Sequence, residues 1–540
     1  MGGVARGELL PAGPGGGDAR GAVFDGDGMT ELAQRVTAPV HLVARVSDGQ
    51  LGLADGRSAV HGLGHGLVPV GTLPALYPEW LGERAFGRAH GVRFPYVAGE
   101  MARGISTTSL VAAMARADML AFFGAGGLPP VEVERAAHEL RTGLADRRNW
   151  GVNLIHTPAD ASWEEQVADR LVGAAVPCVS ASAFMELTPA VVRCAAVGLR
   201  QDRAGRIIRP VAVFAKVSRP ELARAFMLPA PGALLRHLVA HGRLTEYEAG
   251  LAAHVPVAED ITVEADSGGH TDRRPLAALL PGVVALRDEL AARHRLARPV
   301  RVGAAGGLGE PAAVAAAFAL GAAYVVTGSV NQMSVEAGVC AEAKAMLAEA
   351  GVADTAMAPA ADMFEMGAQV QVLRRGTLFA GRAARLERVY RQYPSLDAVP
   401  AAERRSLERD VLGASIDAVW TWTYDYWTRR DPAELARAEA DPKHRMALVF
   451  RWYLSRSNRW AVTGDPRRRA DYQLWCGPAA GAFNRWSAGS FLAVPGRRTV
   501  VQIALNLLQG AAVVTRAHQL RTSGVALPPR AFRFRPRLLR

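Results

Sequence analysis

The stretch VRVGAAGGLGEPAAVAAAFALGAAYVVTGS, residues 300–329, holds two short, mostly apolar runs, 300–304 and 324–327, each leading into a glycine loop, with a helical pattern over 311–320 between them. Runs of four or five apolar residues suit a strand buried on both faces. Pro311 suits the first turn of a helix, where its missing N–H would have no partner. Strand, glycine loop, helix and strand in that order make a parallel βα unit. Working outward, the same alternation places strands at 94–98, 119–123, 150–155, 177–180, 211–216 and 261–265, with helices over 107–116, 130–147, 163–174, 189–199 and 275–293. With the two opening runs this makes eight strands, the number that closes a (β/α)8 TIM barrel in the α/β class.

The barrel is thus expected over residues 94–349. Before it, 1–21 read as a flexible N-terminus and 22–93 as a small β-containing module with turns at Asp48-Gly49 and Asp55-Gly56. The HGLGHG stretch at 61–66 lacks the spacing of a dinucleotide loop. The connection 217–260 has room for two helices and a loop built on the barrel mouth. Beyond residue 350 the strand signal fades, and seven of the ten tryptophans lie between 420 and 486, so 350–520 are expected as a Trp-rich helical extension with its own packed core. Residues 521–540 carry six arginines and no acid, a basic flexible tail suited to an acidic partner.

The 540 residues are half apolar and carry a formal charge of +12, yet only three of the 63 basic residues are lysines and the arginines are spread throughout. That is a global bias rather than a patch, so neither nucleic acid nor a membrane surface is expected as partner. The four cysteines have neither CxxC spacing nor a disulfide pattern, and residues 1–21 lack a signal-peptide core; a cytoplasmic protein without a bound metal is expected.

Barrel sites sit at the carboxyl ends of the strands, with phosphate on the loops after strands seven and eight. Gly306 and Gly307, then Gly328 and Ser329, offer such a clamp, although any barrel also needs tight turns there. Ala98, Gly99 and Met101 after strand one and Gly126 after strand two let main chain approach a planar ring, and Asn153 after strand three can both donate to it and accept from it. Lys216 ends strand five as a compact ammonium suited to charge on a reduced ring or to a Schiff base; packing of its stem is the alternative. After strand six, Glu264, Asp266 and His270 are gathered around Gly268 and Gly269, a set suited to acid–base work; a metal site with one histidine is a thin alternative, a solvated charged loop another.

These stretches resemble a known family. GVNLIHTPAD (151–160), ASAFMELTPAVVR (181–193), KVSRPELARAFMLPAP (216–231), EADSGGHTDRRPLAALLP (264–281), the glycine loops over 303–332 and SRSNRWAVTGDP (455–466) are similar, in order and spacing, to the PfaD family of trans-acting enoyl reductases within the nitronate monooxygenase-like flavin barrels. The resemblance implies FMN as cofactor, NADPH or NADH as reductant and an enoyl thioester on an acyl carrier protein as substrate. It points to His270 as acid or carbonyl ligand, Lys216 as stabiliser of the reduced flavin, and Glu264 or Asp266 as orienting groups. A nitronate monooxygenase is the alternative with the same flavin, and a non-catalytic docking subunit of a megasynthase is the alternative of another class. A homo-oligomer is compatible with either reading.

Overall fold

The computed structural model describes residues 21–57, 66–158, 160–296 and 298–540. Residues 1–20, and HGLGHG apart from Gly66, lie outside them.

The described residues form two compact units: those up to 77 with 512–534, and those of 78–511 with 535–540. In the first, the helix Gly26–Gln34 and an antiparallel sheet of Val40–Arg45, Leu51–Asp55 and Leu67–Leu73 bury Met29, Ala33, Leu42 and Leu53 together with Leu520 and Val525. The module therefore stops near residue 77 rather than 93. The C-terminal segment also departs from the expected flexible tail. Apolar residues interleave with its arginines: Ala531 is buried, and Gln34 donates its amide to the carbonyl of Arg533 at 2.9 Å. In the second unit, Gln502 holds the Leu539 carbonyl at 2.6 Å and Asn506 the Arg537 amide at 2.8 Å.

The second unit contains the barrel. Tyr96–Ala98, Leu120–Phe123, Trp150–Ile155, Cys178–Ser182, Ala212–Val217, Asp260–Glu264, Arg301–Ala305 and Val325–Thr327 pair in parallel and in sequence order until the last meets the first. All eight match the expected positions within a few residues. Their helices start as local chemistry dictates: Thr107, Asp160 and Thr188 accept from main-chain amides three residues on, and Pro130, Pro189, Pro220 and Pro311 occupy first turns. The 217–260 connection holds three helices, Pro220–Met227, Gly232–Ala240 and Glu246–Ala252, and the last two pack on Pro189–Ala196 in the outer ring instead of over the mouth.

The helix Arg84–His90 closes the amino ends of the strands, with Phe86 stacked on Tyr324 at 4.4 Å. Beside them Asp260, fully buried, receives a fork of two bonds from Arg301 at 2.7 Å each and meets His90 at 2.9 Å. Burial alone would raise the Asp260 pKa, but His90 and Arg301 outweigh it and hold the carboxylate ionised below its usual range.

The C-terminal extension is helical, as its composition implies, with two exceptions. Thr355–Pro359 and Gln369–Leu373 form an antiparallel sheet with a third strand, Gly269–His270, from the barrel itself. The helix Val500–Thr522 is long and apolar enough to cross a membrane, but 72% of its most apolar window is buried within the protein.

Asp260→Ala leaves Arg301 and His90 buried without their acceptor and should cost about 3–5 kcal/mol of stability, read as a lower urea midpoint. Because the folded pKa of Asp260 is depressed, its contribution is complete above the unfolded value of about 4 and fades as pH falls through the folded one. Wild type and variant should therefore converge in acid; a constant gap down to low pH would contradict this.

Candidate active site

At the carboxyl ends of the strands the chain gathers charge on a glycine-lined rim. Lys216, the penultimate residue of Ala212–Val217, reaches Glu100 at 3.0 Å and Glu264 at 3.3 Å. Burial disfavours its charge, but the two carboxylates outweigh burial and hold the ammonium above the usual lysine range. One ammonium thus faces two carboxyl groups, so little of its charge is left for a ligand. Lys216, expected as stabiliser of a reduced ring, is ion-paired at the rim with these two carboxylates. Glu100 carries no pattern that singles it out in sequence.

His270 lies on the short strand after Glu264, its main chain paired with Val370 and its Nε2 3.1 Å from the Asp362 carboxylate. Burial disfavours the imidazolium; Asp362, with a smaller contribution from Glu264, outweighs it and raises the pKa above that of free imidazole, while Lys216 opposes. Asp362 in turn is held below its usual range, since His270 more than offsets burial. The orienting acid of His270 is therefore Asp362. Asp266, expected there, instead accepts from the Gln371 amide at 2.7 Å, which also holds the Ser267 carbonyl at 2.7 Å.

The glycines divide into two groups. A Cβ on Gly268 would lie 2.8 Å from the Cys476 amide nitrogen, so Gly268 admits the extension rather than a ligand. Gly269 has φ +83°, the left-handed turn that starts the His270 strand. Gly99 is tight against Val326, beside the buried Ala98 and Met101. Gly306, at φ +89°, lies against the Ala265 carbonyl. A Cβ on Gly307 or Gly328, by contrast, would enter open space on the loops after strands seven and eight. Ser329 Oγ accepts from the Gly477 amide at 3.1 Å. One turn on, the buried Gln332 presents an amide nitrogen with no acceptor among the described residues. Open space at two glycines and an orphaned amide donor on the last loop fit a phosphate-bearing cofactor.

Asn153 donates both amide hydrogens inward, to the Ser180 carbonyl at 3.0 Å and Ser182 Oγ at 2.7 Å. Its oxygen faces Gly126, where a Cβ would sit 3.5 Å away. Asn153 can thus accept from a ligand's N–H but has no donor to spare, which narrows its expected dual role.

A closed (β/α)8 barrel with a carboxylate-oriented imidazole and permissive glycine loops at its mouth defines a barrel site for acid–base chemistry on a phosphate-bearing ligand. Residues 393–472 match the family model described as [acyl-carrier-protein] S-malonyltransferase, inserted helical domain. The solved enoyl reductase domain of MlnA, from the macrolactin cluster of Bacillus amyloliquefaciens, superposes with a TM-score of 0.78 at 36% identity, over 82% of this chain and 99% of that domain. One component of the polyunsaturated fatty acid synthase of Thraustochytrium sp. is 44% identical over 451 residues, 82% of this chain and 30% of that protein. The polyketide biosynthesis protein PksE of Bacillus subtilis is 41% identical over 436 residues, 81% of this chain and 56% of that protein. The chain belongs to the PfaD-like enoyl reductase family of polyketide and polyunsaturated fatty acid synthases. It spans between about a third and a little over half of those two relatives.

Asp362→Asn should lower the His270 pKa, because the carboxylate that outweighs burial is gone. Following the His270 Cε1 proton by NMR across pH checks this, and an unmoved midpoint would remove Asp362 from the site.

Proposed function

We propose that the chain is a trans-acting enoyl reductase that reduces the α,β-double bond of an enoyl thioester carried on an acyl carrier protein, with FMN as cofactor and NADPH or NADH as reductant. The observation that carries the reading is His270, fixed on a strand, paired with Asp362 and set at the rim beside Glu264 and Lys216. FMN, when bound, supplies the hydride that the β-carbon takes. The residues that would hold it are Gly307, Gly328 and the Gln332 amide around the phosphate, with the Asn153 oxygen and the Gly126 main chain toward the ring.

What remains is a proton and charge problem for the chain itself. As the β-carbon gains hydride, negative charge develops on the thioester oxygen and the α-carbon must be protonated. A group that keeps its proton near neutral pH and can approach that oxygen serves both needs. His270 keeps its proton to higher pH than free imidazole because Asp362 stabilises the imidazolium. The strand fixes its main chain and Asp362 its ring, so little orientation is lost on binding. Lys216 is shared between Glu100 and Glu264, which offsets part of the negative charge of the two carboxylates at the mouth.

Purified protein should be yellow, release FMN on denaturation and be bleached by NADPH or NADH, with colour returning under anaerobic conditions on addition of an enoyl thioester. His270→Gln should retain the flavin and lose about 10²–10³ in kcat. A colourless protein whose His270→Ala variant still supports product formation would make it a docking subunit; turnover by the flavin-loaded protein that is indifferent to His270→Gln would remove His270 from the proton role; oxygen uptake with an alkyl nitronate and none of the thioester chemistry would make it a nitronate monooxygenase.

A further inference from the structure

Arginines from separate parts of the second unit lie near enough to influence one another, Arg103 with Arg430 and Arg459, and Arg456 with Arg459. Arg103 lies on the loop after the first barrel strand, Arg430 ends the helix Ile416–Arg430, and Arg456 and Arg459 lie on the helix Pro442–Thr463. Arg430 donates to the Tyr426 hydroxyl, lies 4.1 Å above the Trp163 ring and 3.9 Å from the Asp160 carboxylate, and its buried Nε has no acceptor among the described residues. Arg103, Arg456 and Arg459 form no ion pair among the described residues, in a protein where many arginines do. The charges feel one another: burial, then repulsion from Arg459 and Arg430, pushes the Arg103 pKa down, against attraction from Tyr426 and Asp362. Burial and then Arg459 lower Arg456 in the same way.

Arg103 is also held under strain. Its φ is +57°, unusual for a residue with a side chain, while its amide donates to the Gly126 carbonyl at 2.8 Å and its side chain lies along Gly127. Three arginines without an ion pair among the described residues, one of them in a strained conformation, stand with a fourth that has an orphaned buried donor and only a 3.9 Å approach to Asp160, which leaves guanidinium donors to spare for an anion. Tyr426 is 46% exposed, and Trp422, one turn earlier on the same helix and stacked on Trp452, is 45% exposed. Asp362, which attracts Arg103, is the acid that orients His270.

We propose that Arg103, Arg430, Arg456 and Arg459 form an anion site, separate from the glycine loops, that takes the phosphate of the molecule bringing its reacting end to His270, with Trp422 and Tyr426 against the apolar or planar part of that molecule. The inference rests on the enoyl reductase reading for what is delivered, though not for the phosphate itself. Two sources share this chemistry: a phosphopantetheine arm carrying the thioester, and a dinucleotide reductant.

The test uses the flavin-loaded enzyme and the exposed, non-catalytic Arg456→Glu/Arg459→Glu double variant, with Arg103→Gln as a milder second. Calorimetric titration with 4′-phosphopantetheine, pantetheine, NADPH and NADH needs no turnover. Steady-state rates with an enoyl phosphopantetheine thioester and its unphosphorylated pantetheine counterpart show where the phosphate acts. If the arm is the source, the wild type binds the phosphorylated arm in preference to pantetheine. The variants then raise that Kd and the matching KM about tenfold or more, leaving kcat, the pantetheine thioester and the dinucleotides unchanged. If the dinucleotide is the source, only its Kd and KM rise. Unchanged affinity for every phosphate ligand in both variants overturns the site. Phosphate binding that depends on these arginines in a protein that reduces no enoyl thioester keeps the site and removes the enoyl reductase reading.

Discussion

Two residues of main chain, Gly269 and His270, pair with Gln371 and Val370, and the site depends on that pairing. A histidine after two glycines would ordinarily sit on a mobile loop. Here it is part of a three-stranded sheet whose other two strands come from about a hundred residues further on. The Gln371 side chain adds a second tie, holding both Asp266 and the Ser267 carbonyl, and the absence of a side chain at Gly268 lets Cys476 come against the loop from the other side. The extension therefore builds the loop that carries His270 as well as packing beside it. Asp362, on the connection between those two strands, arrives with them, so one piece of chain supplies both the position and the protonation bias of the imidazole.

Charge is treated differently at the two ends of the barrel. At the floor, Asp260 is matched by a fork from Arg301 and by His90, a complete set in a dry place where any unmatched ion would be strongly destabilising. At the mouth the matching is incomplete: one ammonium serves two carboxyl groups, an imidazole shares one acid, and arginines stand without acids among the described residues. Chains with strong arginine bias place guanidinium groups wherever they are tolerated, so pairing rather than abundance separates structure from binding at this end.

Much of this architecture was readable in the amino-acid order. The eight strands and their helices announce themselves because a strand buried on both faces must be a short, continuous apolar run and a neighbouring helix must begin with a capping residue or proline. His270, Lys216 and the glycine loops were readable for a similar reason, since each falls at or directly after the end of a strand. Asp362 was not: it lies 92 positions from His270 and its loop has no pattern of its own. Gln369–Leu373 did carry a signal, a polar–apolar alternation over its first four residues, hidden by the surrounding helical composition. The last twenty residues misled in the other direction, because six arginines mask the spacing of Val525, Leu527, Ala531 and Phe534, which is that of a packed segment.

Residues 475–479 come close to three loops of the barrel rim. Cys476 and Gly477 lie against the loop after strand six, Ala479 against Gly309 after strand seven, and the Gly477 amide against Ser329 after strand eight. That arc of the rim is roofed by main chain at contact distance, so a side chain added at Gly268, Gly309 or Gly477 would part the extension from the barrel loops before it touched any ligand. These three glycines are hinges of assembly rather than of binding, and substitutions there should be read as damage to the roof, not to the site.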